Sequence, residues 1–329
     1  MRVIRELLLP LFALLALCLA GASHAQDAVS YPTRPIRVIV PQPPGGGVDV
    51  SARIASEAIE RHLGQRLIIE NKPGAGGRIG SAMAAKAAPD GYTLLFTPKT
   101  PITIFQHMKL KLEFDPGRDF TPVAIVIRQP GLLITRPSLP ARTLAEFIAL
   151  AKSNPGKVTF GIQGLGSEFH VAMEILNKTA GIKLAAIPYQ GGSPAIIDLL
   201  ADRLDAMFLV PAAIREHLAG RRLNALATLN ARRLKDFPDV PAMMELGLAE
   251  VASSSWFGYM APTGTPPAII ERLVGALRRL PSDGALVKRI AELGAELDVV
   301  GPAEFGAIID EERRQYGKIV VESNLDAAN

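Results

Sequence analysis

The run Ile36-Arg37-Val38-Ile39-Val40-Pro41-Gln42-Pro43-Pro44-Gly45-Gly46-Gly47-Val48-Asp49-Val50 decides the fold. Residues 36–40 read as a strand because all but the arginine are β-branched and apolar. Residues 41–47 read as a proline- and glycine-rich turn. Val50, Ile54, Ala58 and Ile59 then recur at helical spacing until Gly64 ends the pattern. The same order of strand, glycine turn and helix returns along the chain. Leu67 to Ile69 leads into Asn71-Lys72-Pro73-Gly74-Ala75-Gly76-Gly77 and an alanine-rich helix. Val158 to Phe160 leads into Gly161-Ile162-Gln163-Gly164-Leu165-Gly166 and a helix ending near Gly181, and Leu184 to Ile187 leads into Tyr189-Gln190-Gly191-Gly192 and the stretch Pro194 to Ala201. Strands alternating with helices predict an α/β fold with mainly parallel sheets flanked by helices.

A chain of 329 residues is long enough for two such units. Residues 123–135 read as two extended runs broken by Pro130-Gly131, and residues 253–262 are extended again. Two extended crossings let the chain leave one unit, build a second and return. The expected division is therefore residues 26–127 with 254–329 as one lobe and 128–253 as the other, with a cleft between them. Thr143-Leu144-Ala145-Glu146 forms a capping box for a helix start, and a last helix begins near Ala303.

The first 25 residues are expected to stand apart from the fold. Arg2 and Arg5, the apolar run Leu7 to Ala20, and Ser23-His24-Ala25 describe a signal peptide cut after Ala25, which sends the rest to the periplasm. The single cysteine, Cys18, lies inside that leader, so thiolate chemistry and disulfides are excluded from the mature chain. Hydrophobic residues are 48% and charged residues 21%, which excludes a disordered chain. Aromatics at 5% and a formal charge of +4 without a polybasic tract speak against a nucleic-acid partner.

In open α/β sheets, ligands sit beyond the carboxyl ends of strands, where glycine turns expose backbone N–H groups at helix starts. The candidate loops are 41–49, 161–167 and 189–193, with Gln42, Gln163, Ser167, Gln190 and Ser193 as neighbouring polar side chains. Neutral donors in that arrangement suit the oxygens of a small anion. Asp49 opens the first helix either as its N-cap, or as an orienter of the loop or an acceptor for a ligand amine. Ser167 and His170 could meet as nucleophile and base, or serve as a cap and a loop brace. Residues 74–80 lack the third glycine of a dinucleotide fingerprint, Gly191-Gly192-Ser193-Pro194-Ala195 departs from a nucleophile elbow, and His62, His107, His170 and His217 show no metal-ligand spacing. No cofactor, metal or catalytic residue is therefore expected.

Taken together, the stretches Tyr31-Pro32, Pro35 to Pro41, Pro44-Gly45-Gly46 with Asp49, Glu70 to Gly77, Ala88-Pro89-Asp90-Gly91-Tyr92, Ala151-Lys152 with Asn154 to Lys157, Gly164 with Gly166-Ser167 and His170, Pro188-Tyr189, Pro238 to Pro241 and Trp256-Phe257-Gly258 with Ala261-Pro262 resemble the Bug family. These are the extracytoplasmic substrate-binding proteins of tripartite tricarboxylate transporters. The resemblance implies a type II periplasmic-binding-protein fold with Venus-flytrap closure of two lobes on a carboxylate, and no catalysis. It implies a monomer that delivers its ligand to membrane permease subunits or a sensor. Carried over by position, the pincers are Gln42, Pro43, Pro44, Gly45, Gly46 and Asp49 on one lobe, and Gly164, Leu165, Gly166 and Ser167 on the other, with Gln163 of the same loop as a further ligand-binding candidate from its own residue type. Tyr189 and Leu209 join them at the cleft. Gln42 and Val48 depart from the family's usual residues. So does Leu209, which stands where an acidic residue is common and implies a carboxylate ligand without an amino group.

Overall fold

The computed structural model describes residues 31–164, 166–252 and 255–323, so the leader reading lies outside the described residues. The strands in chain order are β1 (Ile36–Val40), β2 (Leu67–Asn71), β3 (Thr93–Pro98), β4 (Phe120–Gln129), β5 (Leu132–Thr135), β6 (Thr159–Ile162), β7 (Ala185–Pro188), β8 (Ala206–Leu209), β9 (Asn224–Thr228), β10 (Ser255–Pro262) and β11 (Glu296–Val300). The helices of eight or more residues are α1 (Gly47–Leu63), α2 (Arg78–Ala85), α3 (Leu144–Ser153), α4 (Glu168–Ala180), α5 (Gly192–Leu200), α6 (Pro267–Leu277), α7 (Gly284–Glu292) and α8 (Pro302–Glu322).

Local signals act as the sequence leads one to expect. Ile36, Val38, Ile39 and Val40 are wholly buried, as a strand covered on both faces requires. Gly64 takes the left-handed conformation that ends α1, its N–H donating to the Glu60 carbonyl. The capping box at α3 is complete: Thr143 Oγ1 accepts from the Glu146 N–H, and the Glu146 carboxylate accepts from the Thr143 N–H.

Two sheets result, in the orders β11-β4-β10-β3-β1-β2 and β7-β6-β8-β5-β9. Helices α1, α6 and α7 cover one face of the first sheet, and α2 with the first half of α8 covers the other. Around the second sheet, Phe147 of α3, Leu176 of α4 and Leu199 of α5 close over Phe160 and Phe208. The expectation of mainly parallel sheets is corrected. β1 runs parallel to β2 and β3, and β6 to β7 and β8, but β10 and β11 run against their neighbours, as does β5 against β8 and β9. The reason is topological. The strands that carry the chain between the sheets, β4 into β5 and then β10, enter and leave from the ends where the parallel strands finish.

The chain thus leaves the first sheet after Gln129, turns at Pro130-Gly131, builds the second sheet and returns as β10. Helix α8 spans both cores, a feature absent from the simple division into lobes. Phe305 and Ile309 pack in the first core, whereas Tyr316, Ile319 and Val320 pack in the second. Among the described residues no helix is long and apolar enough to cross a membrane.

Candidate functional site

At the carboxyl end of β1, residues 43–47 are exposed and lead directly into α1. Gly46 is the N-cap residue and no side chain caps the helix, so its first N–H groups remain available to a ligand. Asp49 is therefore not the N-cap. It sits in the first turn, nearly fully buried, and reaches back: Oδ2 accepts from the Gly45 N–H at 2.9 Å and from Arg53 Nε at 3.1 Å. Oδ1 accepts from Asn71 Nδ2 at 2.9 Å, and that same amide donates to the Gln42 carbonyl at 3.1 Å. Asp49 is thus the orienter of the loop, tying Gly45 to the end of β2. Burial works against its charge, but Arg53, the Gly45 N–H and Asn71 together hold the carboxyl below the usual aspartate value.

The second loop joins β6 to α4. Gly164 and Gly166 both have positive φ, at +97° and +72°, which L-residues with a Cβ adopt only under strain. Leu165 lies outside the described residues. Ser167 caps α4, its Oγ accepting from the His170 N–H at 3.3 Å. The buried His170 ring accepts the Gly166 N–H at Nδ1, 3.0 Å away. Serine and histidine therefore serve as cap and loop brace. The Ser167 hydroxyl and His170 ring are each bonded to backbone N–H groups of this turn.

Burial lowers the His170 pKa to about 4 from 6.5. The folded state thus takes up this proton less readily than the unfolded chain, and the stability it supplies is complete above 6.5 and drains as pH falls toward 4. The loss across that window is on the order of 3 kcal/mol. Urea unfolding should show it, and His170→Gln, which keeps an acceptor but does not titrate there, should flatten it. Equal slopes in the two proteins would remove His170 as the cause.

A third turn opens α5, whose N-cap Gly191 supplies no side-chain cap. A Cβ placed on Gly192 would lie 3.3 Å from Leu209 Cδ2 and 3.7 Å from Gln163 Nε2, so these three residues meet. Leu209 is buried and presents no charge. Tyr189 packs beside Gly161, but its hydroxyl donates to Asp198 Oδ2 at 2.8 Å rather than standing free. Partial burial, with the Asp198 carboxylate, pushes that hydroxyl up to about 12.

The two pincer turns flank one short crossing. A Cβ on Gly47 would lie 3.8 Å from Gln129 Nε2, and one on Gly131 would lie 3.0 Å from the Phe169 ring, two residues into α4. From Gln129 to Gly131 is only two residues, so the starts of α1 and α4 are neighbours across the crossing. Met108, packed against the core of the second sheet, sets its Cε where a Cβ on Gly166 would stand. Sequence reasoning missed Gln129 and Met108. The Pro130-Gly131 break marked the crossing, but nothing local showed that Gln129 abuts Gly47. Among the described residues no hydrogen bond engages the carboxamides of Gln42, Gln129 or Gln163.

Two α/β lobes joined by crossing strands, with helix starts turned toward the junction, define the class of two-lobed solute-binding proteins. Residues 51–325 match the model of the tripartite tricarboxylate transporter family receptor, and the chain belongs to that family. It is 37% identical to protein BugT of Bordetella pertussis over 92% of this chain and 94% of that one. Among solved structures it is similar to MatC from Rhodopseudomonas palustris with bound malate, at 30% identity, TM-score 0.72, and coverage of 88% of this chain and 100% of that one. It is also similar to an R. palustris protein with adipate, at 29% identity, TM-score 0.74, and coverage of 88% and 97%.

Proposed function

We propose that this receptor is exported by cleavage after Ala25, works in the periplasm as a monomer and carries a small organic acid without an amino group, of the dicarboxylate kind, to the membrane subunits of a tripartite tricarboxylate-type transporter. The observation that carries the reading is the pairing of two glycine turns, each at a helix start, on either side of the 129–131 crossing. Gln42 and Gly46 with the start of α1, and Gln163 and Gly164 with Ser167 and the start of α4, would grip one carboxylate through neutral donors, while Pro43 and Pro44 shape the first turn and the Gly45 and Gly166 N–H groups are engaged within the protein by Asp49 and His170. Each hydrogen bond to a charged group contributes about 1.5–3 kcal/mol, so a few suffice without a salt bridge. Gln129, beside Gly47 on the crossing strand, would meet the far end of the ligand. Leu209 beside Gln163 gives an ammonium group no counter-charge, which selects against amino acids. The malate and adipate of the structural neighbours are acids of this kind. A periplasmic sensor partner would use the same grip. A hydrolase would need Ser167 and His170, which are engaged as cap and brace.

Titration calorimetry of the mature chain with malate, adipate, citrate, aspartate and glutamate tests this. A carboxylate lacking nitrogen should bind and raise the melting temperature, because a ligand of the native state alone stabilises it. Aspartate or glutamate binding more tightly than all three simple acids would overturn the reading. Ser167→Ala should weaken binding about tenfold while costing about 1 kcal/mol of stability through the lost cap.

A further inference from the structure

Behind the second loop lies a buried polar cluster that plays no part in the grip proposed above. Lys99 follows β3 and is 2% exposed, yet it carries an ammonium group. Its Nζ donates to the Tyr316 hydroxyl at 2.8 Å and lies 3.6 Å from Glu312 Oε1, both on α8. Glu312 Oε2 accepts from the indole N–H of Trp256 at 3.1 Å, on β10. The adjacent Ser255 donates its hydroxyl to Glu168 Oε2 at 2.7 Å, and Glu168 is the first residue of α4, immediately after Ser167. Burial disfavours the Lys99 charge, but Glu312, Tyr316 and Glu168 outweigh it and hold the lysine protonated. Burial raises the Glu168 pKa, and Lys99 and Ser255 oppose the rise. Elements from both lobes and the returning strand therefore converge on one cation.

Isolated charges are costly to bury, so each member of such a cluster holds its neighbours in place: moving Glu168 would strip a carboxylate of Ser255 and of the field of Lys99. We propose that Lys99 is a positioning residue for the ligand loop of the second lobe. Acting through Glu312, Trp256 and the adjacent Ser255 that holds Glu168, it fixes Gln163, Gly164, Gly166 and Ser167 relative to β3, β10 and α8, so that the loop's N–H groups are aimed before a ligand arrives. Its value to ligand capture rests on the carboxylate reading above, but the positioning itself does not. Trp256, the only tryptophan of the chain, lies within the cluster and stacks edge-on against Phe305, which makes it an intrinsic reporter.

Hydrogen exchange by mass spectrometry on the ligand-free mature chain tests the proposal without any ligand, so its failure is separable from failure of the carboxylate reading. Lys99→Met and Glu168→Gln should each speed exchange across 163–170 by about tenfold, and the double variant should add little to the larger single effect. Trp256 emission should shift to the red in Lys99→Met. Unchanged exchange at 163–170 despite a lowered melting temperature would overturn the proposal, because a merely structural lysine would act in that way. Additive effects in the double variant would overturn it too. Glu168→Gln leaves the Lys99–Glu312 pair in place, so it decides the matter if Lys99→Met does not fold: faster exchange at 163–170 supports the proposal and unaltered exchange ends it.

Discussion

Asp49→Ala is expected to lower unfolding free energy by about 3 kcal/mol and ligand affinity by about a hundredfold, the largest single effect at the first pincer. The side chain is nearly fully buried and accepts from Gly45, Arg53 and Asn71 at once. Alanine leaves Gly45 without its acceptor and removes the bridge from α1 to the end of β2. Arg53 is half exposed and recovers water, so the cost comes from the loop and from Asn71 rather than from a stranded cation. Asp49→Asn should fall between the two, since one of its two oxygens is replaced by a donor. Because the native carboxyl is held below its usual value, its stabilisation is present above the unfolded aspartate pKa and is lost as pH falls through the lower folded value. Urea unfolding paired with calorimetry checks this. Lost stability with intact affinity would place the ligand away from residues 42–46.

Gly166→Val should act as strongly at the opposite pincer. At φ +72° a β-branched residue is an outlier costing at least about 1–2 kcal/mol, and the new side chain would also meet Met108. Met108 is flexible and its tip can give way, so the backbone sets most of the cost. Turning the loop out of that conformation breaks the bond from the Gly166 N–H to His170 Nδ1 and scatters the donors at the start of α4. Affinity should fall by about a hundredfold, and Met108→Ala on the same background should restore only a minor part of it. Full restoration would assign the effect to crowding and not to the glycine's backbone.

Much of this arrangement was legible in the chain because its signals are local. The run from Ile36 to Gly64, the Thr143–Glu146 box and the Pro130-Gly131 break each carry their meaning within a few residues. What escaped depends on partners far apart in sequence. Lys99 and Tyr316 are 217 positions apart, and a lone lysine in Thr97-Pro98-Lys99-Thr100-Pro101 gives no sign that it is buried. Asp49 kept its cap and orienter readings open until Asn71, at the end of β2, appeared as its partner. The parallel reading of the sheets failed at β5, β10 and β11 because strand direction is set by where the chain crosses and returns, which hydrophobic pattern does not encode. Leu209 was visible in the chain only as an uncharged residue, and its meeting with Gln163 and Gly192 is a matter of tertiary packing.

Helix α8, rooted in one core through Phe305 and Ile309 and in the other through Tyr316, Ile319 and Val320, works as a splint laid alongside the two strand crossings. A rigid rod fastened at both ends cannot lengthen, so any pivot between the halves is expected to run about an axis close to it. Cutting the chain between Ile309 and Tyr316, as in a circular permutation, would free that axis and widen the swing. Severing the same helix would also break the wall that Trp256 and Lys99 bond to through Glu312 and Tyr316, so the permuted protein should lose stability at the join of its halves.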